Sequence, residues 1–135
     1  MTNTSTRDSL RFSETVPPGE TSTLSVEMED PATIDRVRVR LYPGTQLALQ
    51  IRPVVRINDE DEILIPRLFG RNYITGDGDT WNLETSEPVE QGDVVAVEVT
   101  NTDSQYAYDY SVDMTLDRAG GSGRSLVGML AGVFN

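Results

Sequence analysis

Apolar and polar residues alternate along most of the chain with a period of two, and this pattern limits the folds that the chain can adopt. In the segment TSTLSVEME, the residues Leu24, Val26 and Met28 fall on one side of an extended backbone, and polar residues fall on the other. The segments DRVRVRLY and YAYDYSVDMTL repeat the alternation, and VVAVEVT is almost entirely β-branched. Such alternation is typical of β-strands that are buried on one face.

Turn-forming sequences separate these segments, namely PPG, EDP, YPGT, NDEDE, TGDGD, EQGD and NTDS. The segment QLALQIRPVVRI predicts a further strand with Leu47, Leu49 and Ile51 on one face, interrupted at Pro53. With LRFSETV, ILIPRLF and TWNLET, the chain offers about eight or nine strands, spaced by roughly eight to twelve residues. The pattern predicts an all-β fold, an antiparallel β-sandwich of the jelly-roll type.

The chain of 135 residues has the length of a single domain. We expect a disordered N-terminus at residues 1–8, a β-sandwich domain at residues 9–118, and a glycine-rich hinge followed by an apolar C-terminal arm at residues 119–135. No signal-peptide pattern precedes the first strand. No segment reaches the roughly 20 apolar residues of a membrane span, so none is expected.

The charge balance predicts a protein adapted to concentrated salt. The 22 acidic residues outnumber the 11 basic ones, the net charge is −11, and every basic residue is arginine. Self-repulsion of this size destabilises a compact chain, but molar salt shortens the screening length to about 3 Å. The composition therefore favours a high-salt host. Binding to nucleic acid requires a basic surface, so nucleic acid is not an expected partner.

The residue types that catalyse most reactions are missing. Cysteine, histidine and lysine are absent, which excludes thiolate nucleophiles, imidazole bases and the commonest metal ligands. A carboxylate pair of the glycosidase kind would need a deep cleft, which nothing in the sequence indicates. We expect a non-enzymatic protein without an organic cofactor.

Two acidic turns are the weak candidates for a metal site. Asp59 and Asp61 lie in NDEDE, and Asp77 and Asp79 flank a glycine in TGDGD. Calcium prefers six to eight oxygen ligands, and neither turn matches a complete binding loop. We expect solvated turns and no bound metal, with a structural calcium ion as the alternative.

Three arginines at alternate positions, Arg36, Arg38 and Arg40, lie on one face of a predicted strand. Like charges in this arrangement repel one another unless carboxylates lie opposite. Glu98 or Asp113 of a neighbouring strand could supply them within the sheet. A subunit interface is the interpretation we favour, because arginine forms bidentate carboxylate pairs and is enriched at interfaces.

Aromatic residues suggest either a core or a sugar-binding platform. Trp81 and the tyrosines of YAYDY, Tyr106, Tyr108 and Tyr110, alternate along predicted strands. A sandwich core uses aromatics at such positions, and this is the interpretation we favour. The alternative is a carbohydrate-binding module that stacks a sugar on them.

The chain ends in SLVGMLAGVFN, which has no charged side chain and follows the hinge sequence AGGSG. Helical spacing in it favours a short arm that docks in a groove of another protein. Folding back onto its own sandwich is the alternative, and membrane insertion is disfavoured by the short length. The docking residues would be Leu126, Met129, Leu130, Val133 and Phe134.

The order of PGTQLALQIRP, ILIPRLFG, GDGDTWNLETSEPVEQGDVVAVEV and NTDSQYAYDYSVDMTLDR resembles small all-β structural proteins of tailed viruses over about residues 10–118. Many of those proteins carry a histidine where this chain has Ala107 or Asp109. Together with the salt-adapted composition, the resemblance implies a virion component of a haloarchaeal virus. It implies a capsid decoration, turret or vertex protein, or a tail component, and no catalytic residues.

These observations predict a viral structural protein located in the virion and assembled in the cytoplasm of a high-salt host. We expect a symmetric homo-oligomer that docks on other capsid or tail proteins through its C-terminal arm. The alternative is a carbohydrate-binding module, or a tail or baseplate protein, that contacts host surface glycans.

Overall fold

The computed structural model describes residues 7–58, 60–63 and 72–118, with only the backbone of residues 61–63. Within these ranges the chain forms eight strands, which we number in chain order: β1 (Arg7–Val16), β2 (Thr21–Glu27), β3 (Ala32–Leu41), β4 (Leu49–Ile57), β5 (Glu60–Ile63), β6 (Thr80–Val89), β7 (Val94–Asn101) and β8 (Tyr108–Asp117). β1 begins at Arg7, inside segment 1–8 and two residues before the expected start of the domain, and β8 ends one residue before Arg118.

The strands form two four-stranded antiparallel sheets. The first sheet has the order β1-β8-β3-β6 and the second has the order β2-β7-β4-β5. Strands that are distant in sequence are therefore neighbours, because successive strands, apart from β4 and β5, lie in opposite sheets. This arrangement of eight strands is the double Greek key of a jelly roll. The prediction of an antiparallel, jelly-roll-like β-sandwich is confirmed.

The core lies between the two sheets and follows from the alternation in sequence. Inward positions of the central strands are buried almost completely, because successive side chains of a strand point to opposite faces. The first sheet contributes Val37, Val39, Leu41, Val112, Met114 and Leu116, and the second sheet contributes Leu49, Ile51, Val55, Val95, Val97 and Val99. The outward positions between them carry mostly polar side chains, but Val54 and Ala96, which pair with each other on the outer side of the second sheet, are apolar and buried.

The register of β3 against its neighbours shifts between Ile34 and Arg36. Ile34 and Val37 are both buried although they are three positions apart, because the shift at Asp35 reverses the faces. From Arg36 onward every second residue faces away from the core. The shift therefore determines that Arg36, Arg38 and Arg40 lie on the outside of the sandwich.

Pro53 does not interrupt its strand, contrary to the sequence prediction. β4 runs through it, and Pro53 pairs with Val97 of β7. On the other side of β4, Ile51 exchanges two backbone hydrogen bonds of 2.8 Å with Ile74, and pairing with β5 starts at Val54. Position 53 lies between these pairings, so the missing N–H of proline removes no hydrogen bond to a described residue.

Other strand ends also differ from the prediction. Leu47 lies in the loop before β4, at a positive φ of 63°, and is 61% exposed. Tyr106 precedes β8 and is 62% exposed. Glu60 and its neighbours in the predicted NDEDE turn form β5 rather than loop, while Asp59 and the apolar residues after Ile63 lie outside the described residues. Local alternation marks strands well, but it does not locate the residue at which pairing stops.

The loops gather at two ends of the sandwich. One end carries the start of β1, the end of β8, and the connections β2–β3, β4–β5 and β6–β7. The opposite end carries the connections β1–β2, β3–β4 and β7–β8 and the loop at residues 72–79. Four loops of different sequence position therefore meet at this second end, which we call the loop end.

Candidate functional site

The outer face of the first sheet places the three arginines in one column. Arg36, Arg38 and Arg40 are exposed along the central strand β3. On the neighbouring central strand β8, the outward column reads Asp109, Ser111, Asp113, Thr115 and Asp117. A positive column thus lies directly beside a column that carries three carboxylates, with one inter-strand spacing of about 4.8 Å between them.

The register aligns the two columns row by row. Arg38 lies opposite Asp113, Arg36 opposite Thr115, and Arg40 opposite Ser111. Asp113 is the carboxylate expected from the sequence, and it also forms an ion pair of 3.4 Å with Arg11 of β1. The Nε atom of Arg38 donates to Asn82 Oδ1 at 3.1 Å.

The second expected partner, Glu98, is not near the arginine column. Glu98 lies in β7 of the other sheet, where its Oε1 atom forms an ion pair of 2.8 Å with Arg52. Both residues face outward from the second sheet. The sequence did not indicate which sheet would contain Glu98. Its strand β7 directly precedes β8 in the chain, but the two strands lie in different sheets.

The side chains of two of the three column arginines form no ion pair or hydrogen bond with any residue that the structure describes. These are Arg36 and Arg40. Arg36 lines a surface groove of about 430 Å³ together with the Arg7–Asp35 ion pair, Glu84, Thr85 and Thr115. The chain has twice as many acidic as basic residues. Exposed guanidinium groups that form no ion pair are therefore candidates for binding a carboxylate of another molecule.

The acidic turn at residues 75–79 is held together by its own hydrogen bonds. Asp77 Oδ1 accepts from the backbone N–H of Gly44 at 2.7 Å, and Asp79 Oδ2 accepts from the N–H of Asp77 at 2.9 Å. The carboxylate of Asp79 occupies the space that a side chain at Gly76 would need. These contacts tie the turn to the β3–β4 loop and use oxygen atoms that a cation would require.

No three acidic side chains of the described residues group in a way that could hold a metal ion. Asp77 and Asp79 are brought together, but a third carboxylate does not join them. Asp59 lies outside the described residues, and only the backbone of Asp61 is described, opposite Arg56 in the β4–β5 pairing. The structure thus does not assemble the two acidic turns into one site.

The aromatic residues do not form a common platform. Trp81 faces inward from β6, packs against the core, and its buried Nε1 has no hydrogen-bond partner among the described residues. Tyr110 is buried, Tyr108 packs against the core, and only Tyr106 is largely exposed. The expectation that Trp81 belongs to the core agrees with this geometry, and a sugar platform built on it does not.

Two tyrosine hydroxyls are bonded to carboxylates near the loop end. Tyr110 donates to Glu14 Oε2 at 3.0 Å, and burial together with this hydrogen bond raises the pKa of Tyr110 well above its ordinary range. Tyr108 donates to Asp103 Oδ2 at 2.6 Å. This bond raises the pKa of Tyr108 to about 12 and lowers the pKa of Asp103.

A small cleft at the loop end was not foreseen from the sequence. Its volume is about 260 Å³, and Tyr42, Ser13, Glu14, Thr15, Asp109 and Tyr110 line it. Thr15 donates to Asp109, and Ser22 donates to Glu14 at 2.9 Å. The lining comes from β1, β8 and the β3–β4 loop, so no local motif could have indicated it.

The predicted docking arm lies outside the described residues. Leu126, Met129, Leu130, Val133 and Phe134 belong to it, and the described chain stops at Arg118. Arg118 Nε donates to Asp8 at 3.1 Å, and its guanidinium lies 3.9 Å from Asp30. These contacts attach the end of β8 to β1 and to the β2–β3 loop.

No helix in the described ranges is long and apolar enough to cross a membrane.

Comparisons with known proteins support the fold. No family model matches the chain, and no curated protein matches it. Among solved structures, the Yersinia pseudotuberculosis-derived mitogen aligns with a TM-score of 0.52 at 10% identity, over 80% of this chain and 85% of that one.

Virus proteins also align, but more loosely. The infectious bursal disease virus Gx strain structure gives a TM-score of 0.44 at 13% identity, over 88% of this chain and 33% of that one. The VP2 protein of the same virus gives 0.43 at 12% identity, over 87% of this chain and 32% of that one. This chain spans about a third of their length. Likenesses at such identities concern the fold and not the function.

Proposed function

We propose that this protein is a non-enzymatic structural subunit of a virus particle, a capsid decoration, turret or vertex protein that forms a symmetric homo-oligomer. The observation that carries the proposal is the exposed arginine column Arg36, Arg38 and Arg40 beside the carboxylate column of β8. Such a face can bind a complementary protein surface through bidentate ion pairs. The jelly roll is a fold used by viral capsid proteins, and also by lectins and cupins.

The sequence supports the virion location. Its order of strands and turns resembles structural proteins of tailed viruses, and its net charge of −11 with arginine as the sole basic residue suits a high-salt host. The subunit assembles in the cytoplasm of that host and is carried in the virion. It uses no metal and no cofactor.

Attachment works by multivalency. The sandwich forms the oligomer, and the arm at residues 119–135 reaches a neighbouring capsid or tail protein with Leu126, Met129, Leu130, Val133 and Phe134. Many copies on one shell convert a modest contact into a stable one, because each bound copy raises the effective concentration of the next.

Light scattering in molar potassium chloride tests the proposal. The full chain is compared with the paired variant Leu130→Asp/Phe134→Asp and with a chain that ends at Arg118. Thr23→Asp, on the exposed outer face of β2, is the matched control. We expect light scattering to show a discrete oligomer in all four proteins. Incorporation into virus particles, measured separately, should be lost in the two arm variants alone. A monomer in every case would overturn the proposal.

A carbohydrate-binding module that contacts host glycans is the second candidate, and one observation favours it. The cleft beside Tyr42 combines a partly exposed aromatic ring with hydroxyl and carboxylate groups, as in many polar ligand sites. A glycan array with the full chain and Tyr42→Ala tests it. Binding that depends on Tyr42, in a protein that stays monomeric, would favour this function over the structural one.

A further inference from the structure

The outer face of the first sheet is complementary to itself. Its two central columns carry opposite charge, positive on β3 and negative on β8. The backbone register pairs Arg38 with Asp113, while Asp109 and Asp117 lie beyond the rows of the three arginines. The row of Arg38 also contains Asp113, with Arg11 and Asn82 on the outer strands. A surface of this kind can bind a second copy of itself if the copies are related by a two-fold axis, since each contact then occurs twice.

The required axis is determined by the columns. A two-fold axis that runs parallel to the strands, above the line midway between β3 and β8, moves each strand to the other side of that line. It leaves the position of each residue along the strand direction unchanged. It lays β3 of one copy over β8 of the other, row by row. Arg38 then lies against Asp113 of the partner subunit, and the reverse contact forms at the same time. Arg36 and Arg40 lie over rows that carry the hydroxyls of Thr115 and Ser111.

The ion pairs already present leave room for this contact. Asp113 is held by Arg11 through one oxygen, Oδ1 at 3.4 Å, so the carboxylate can accept a further guanidinium. Arg38 uses its Nε atom on Asn82, which leaves its terminal nitrogens for a partner. Arg36 and Arg40 have no ion pair with a described residue.

The size of the face fits a stable dimer. The four strands of the first sheet each contain 10 residues. At about 3.4 Å per residue and about 4.8 Å between strands, the face measures roughly 34 by 19 Å. Two copies would bury at most roughly 1,300 Å² in total, which is at the lower end of specific protein interfaces.

We propose that the outer face of the β1-β8-β3-β6 sheet is a two-fold interface between two copies of this chain, in which Arg38 of each copy binds Asp113 of the other. This interface rests on the homo-oligomer of the proposed function and specifies its symmetry element. Contact ion pairs of the bidentate type persist in molar salt, because their hydrogen bonds act at distances near the screening length of about 3 Å.

Charge exchange tests the interface in the full-length protein. Arg38→Glu opposes two carboxylates across the axis, and Asp113→Arg opposes two guanidinium groups. Each single variant should dimerise roughly 100-fold more weakly than the wild type, because like charges in contact across an interface are strongly unfavourable. A mixture of the two variants carries complementary faces, so it should form a heterodimer with affinity close to that of the wild type.

The matched control makes the same changes on the other sheet. Arg52→Glu and Glu98→Arg disrupt the exposed-side ion pair of the second sheet, and neither should change dimerisation. Analytical ultracentrifugation in molar potassium chloride measures each dissociation constant. Recovery in the mixture also excludes misfolding, because a misfolded variant could not form the heterodimer.

The outcomes separate this interface from the proposed function. Weak single variants with a recovered mixture support the interface. A wild-type oligomer that neither single variant weakens overturns the interface and leaves the structural function standing. A wild-type protein that is monomeric at all concentrations overturns both the interface and the homo-oligomer.

Discussion

The side-chain amide of Asn101 donates a hydrogen bond of 3.0 Å to the main-chain carbonyl of Val16. Val16 ends β1 in the first sheet and Asn101 ends β7 in the second, so this bond joins the two layers at the loop end. The same amide donates to the carbonyl of Tyr106 at 2.9 Å, and Asn101 Oδ1 accepts from the N–H of Asp103 at 2.9 Å. One buried side chain thus positions the β7–β8 loop against both sheets.

Replacing Asn101 by alanine should lower the free energy of unfolding by about 2–4 kcal/mol. The side chain is 1% exposed, and its removal leaves two carbonyls and one N–H without their partner. Urea denaturation in molar potassium chloride measures the change. Ser104→Ala, at an exposed position of the same loop, is the matched control and should change the free energy by less than about 0.5 kcal/mol. Equal effects of the two variants would contradict the role of Asn101.

The raised pKa of Tyr110 predicts a loss of stability in alkali. The native state keeps the proton longer than the unfolded chain, whose tyrosine pKa is about 10. The stabilisation is complete below about pH 10 and is lost as the pH rises through that value toward the folded pKa. Tyr110→Phe should make this alkaline decline shallower, with the part that comes from the raised pKa of Tyr108 remaining. It should also cost about 1 kcal/mol at neutral pH, because Glu14 loses a hydrogen bond.

Unfolding free energies measured between about pH 8 and pH 11 test this prediction. Ser22→Ala is the control, since it removes the other hydroxyl that donates to Glu14 without removing a tyrosine. It should lower stability at neutral pH and leave the alkaline decline as steep as in the wild type. A steep decline that persists in Tyr110→Phe would show that another group causes it.

The strained backbone at Leu47 predicts a stabilising substitution. Leu47 has a φ of 63°, which costs a residue with a Cβ about 1–2 kcal/mol relative to the right-handed region. Leu47→Gly should raise the free energy of unfolding by roughly 0.5–1 kcal/mol after the entropy of glycine in the unfolded chain is subtracted. Leu47→Ala keeps the Cβ and should bring no gain. A loss of stability in the glycine variant would mean that the exposed leucine side chain makes a stabilising contact.

The hydrogen bonds of the 75–79 turn predict that calcium does not stabilise the protein. Asp77 and Asp79 accept backbone hydrogen bonds, and no third carboxylate among the described residues joins them. The thermal midpoint should be equal in excess calcium and in excess chelator. A ligand at 100 times its dissociation constant would stabilise by about 2.7 kcal/mol, which such a measurement would detect. A midpoint rise that Asp79→Asn abolishes would establish a calcium site.

Much of the fold could be predicted from the alternation alone. Segments such as DRVRVRLY become β3 because valines at every second position can be buried only if the chain is extended. The same alternation predicted that Arg36, Arg38 and Arg40 share one face. The acidic, lysine-free composition and the absence of cysteine and histidine are likewise properties of the sequence, and they exclude whole classes of chemistry without reference to the fold.

The tertiary structure alone decided which strands are neighbours. In a jelly roll β3 pairs with β6 and β8, and no local signal specifies pairs that are up to about 80 residues apart. The pairing brought Asp113 to Arg38, placed Glu98 on the other sheet, and created the cleft beside Tyr42. The periodicity of apolar residues predicts which side of a strand is buried, because burial depends on the local side-chain pattern. The partner across the sheet depends on the packing of the whole chain, and only the folded structure reveals it.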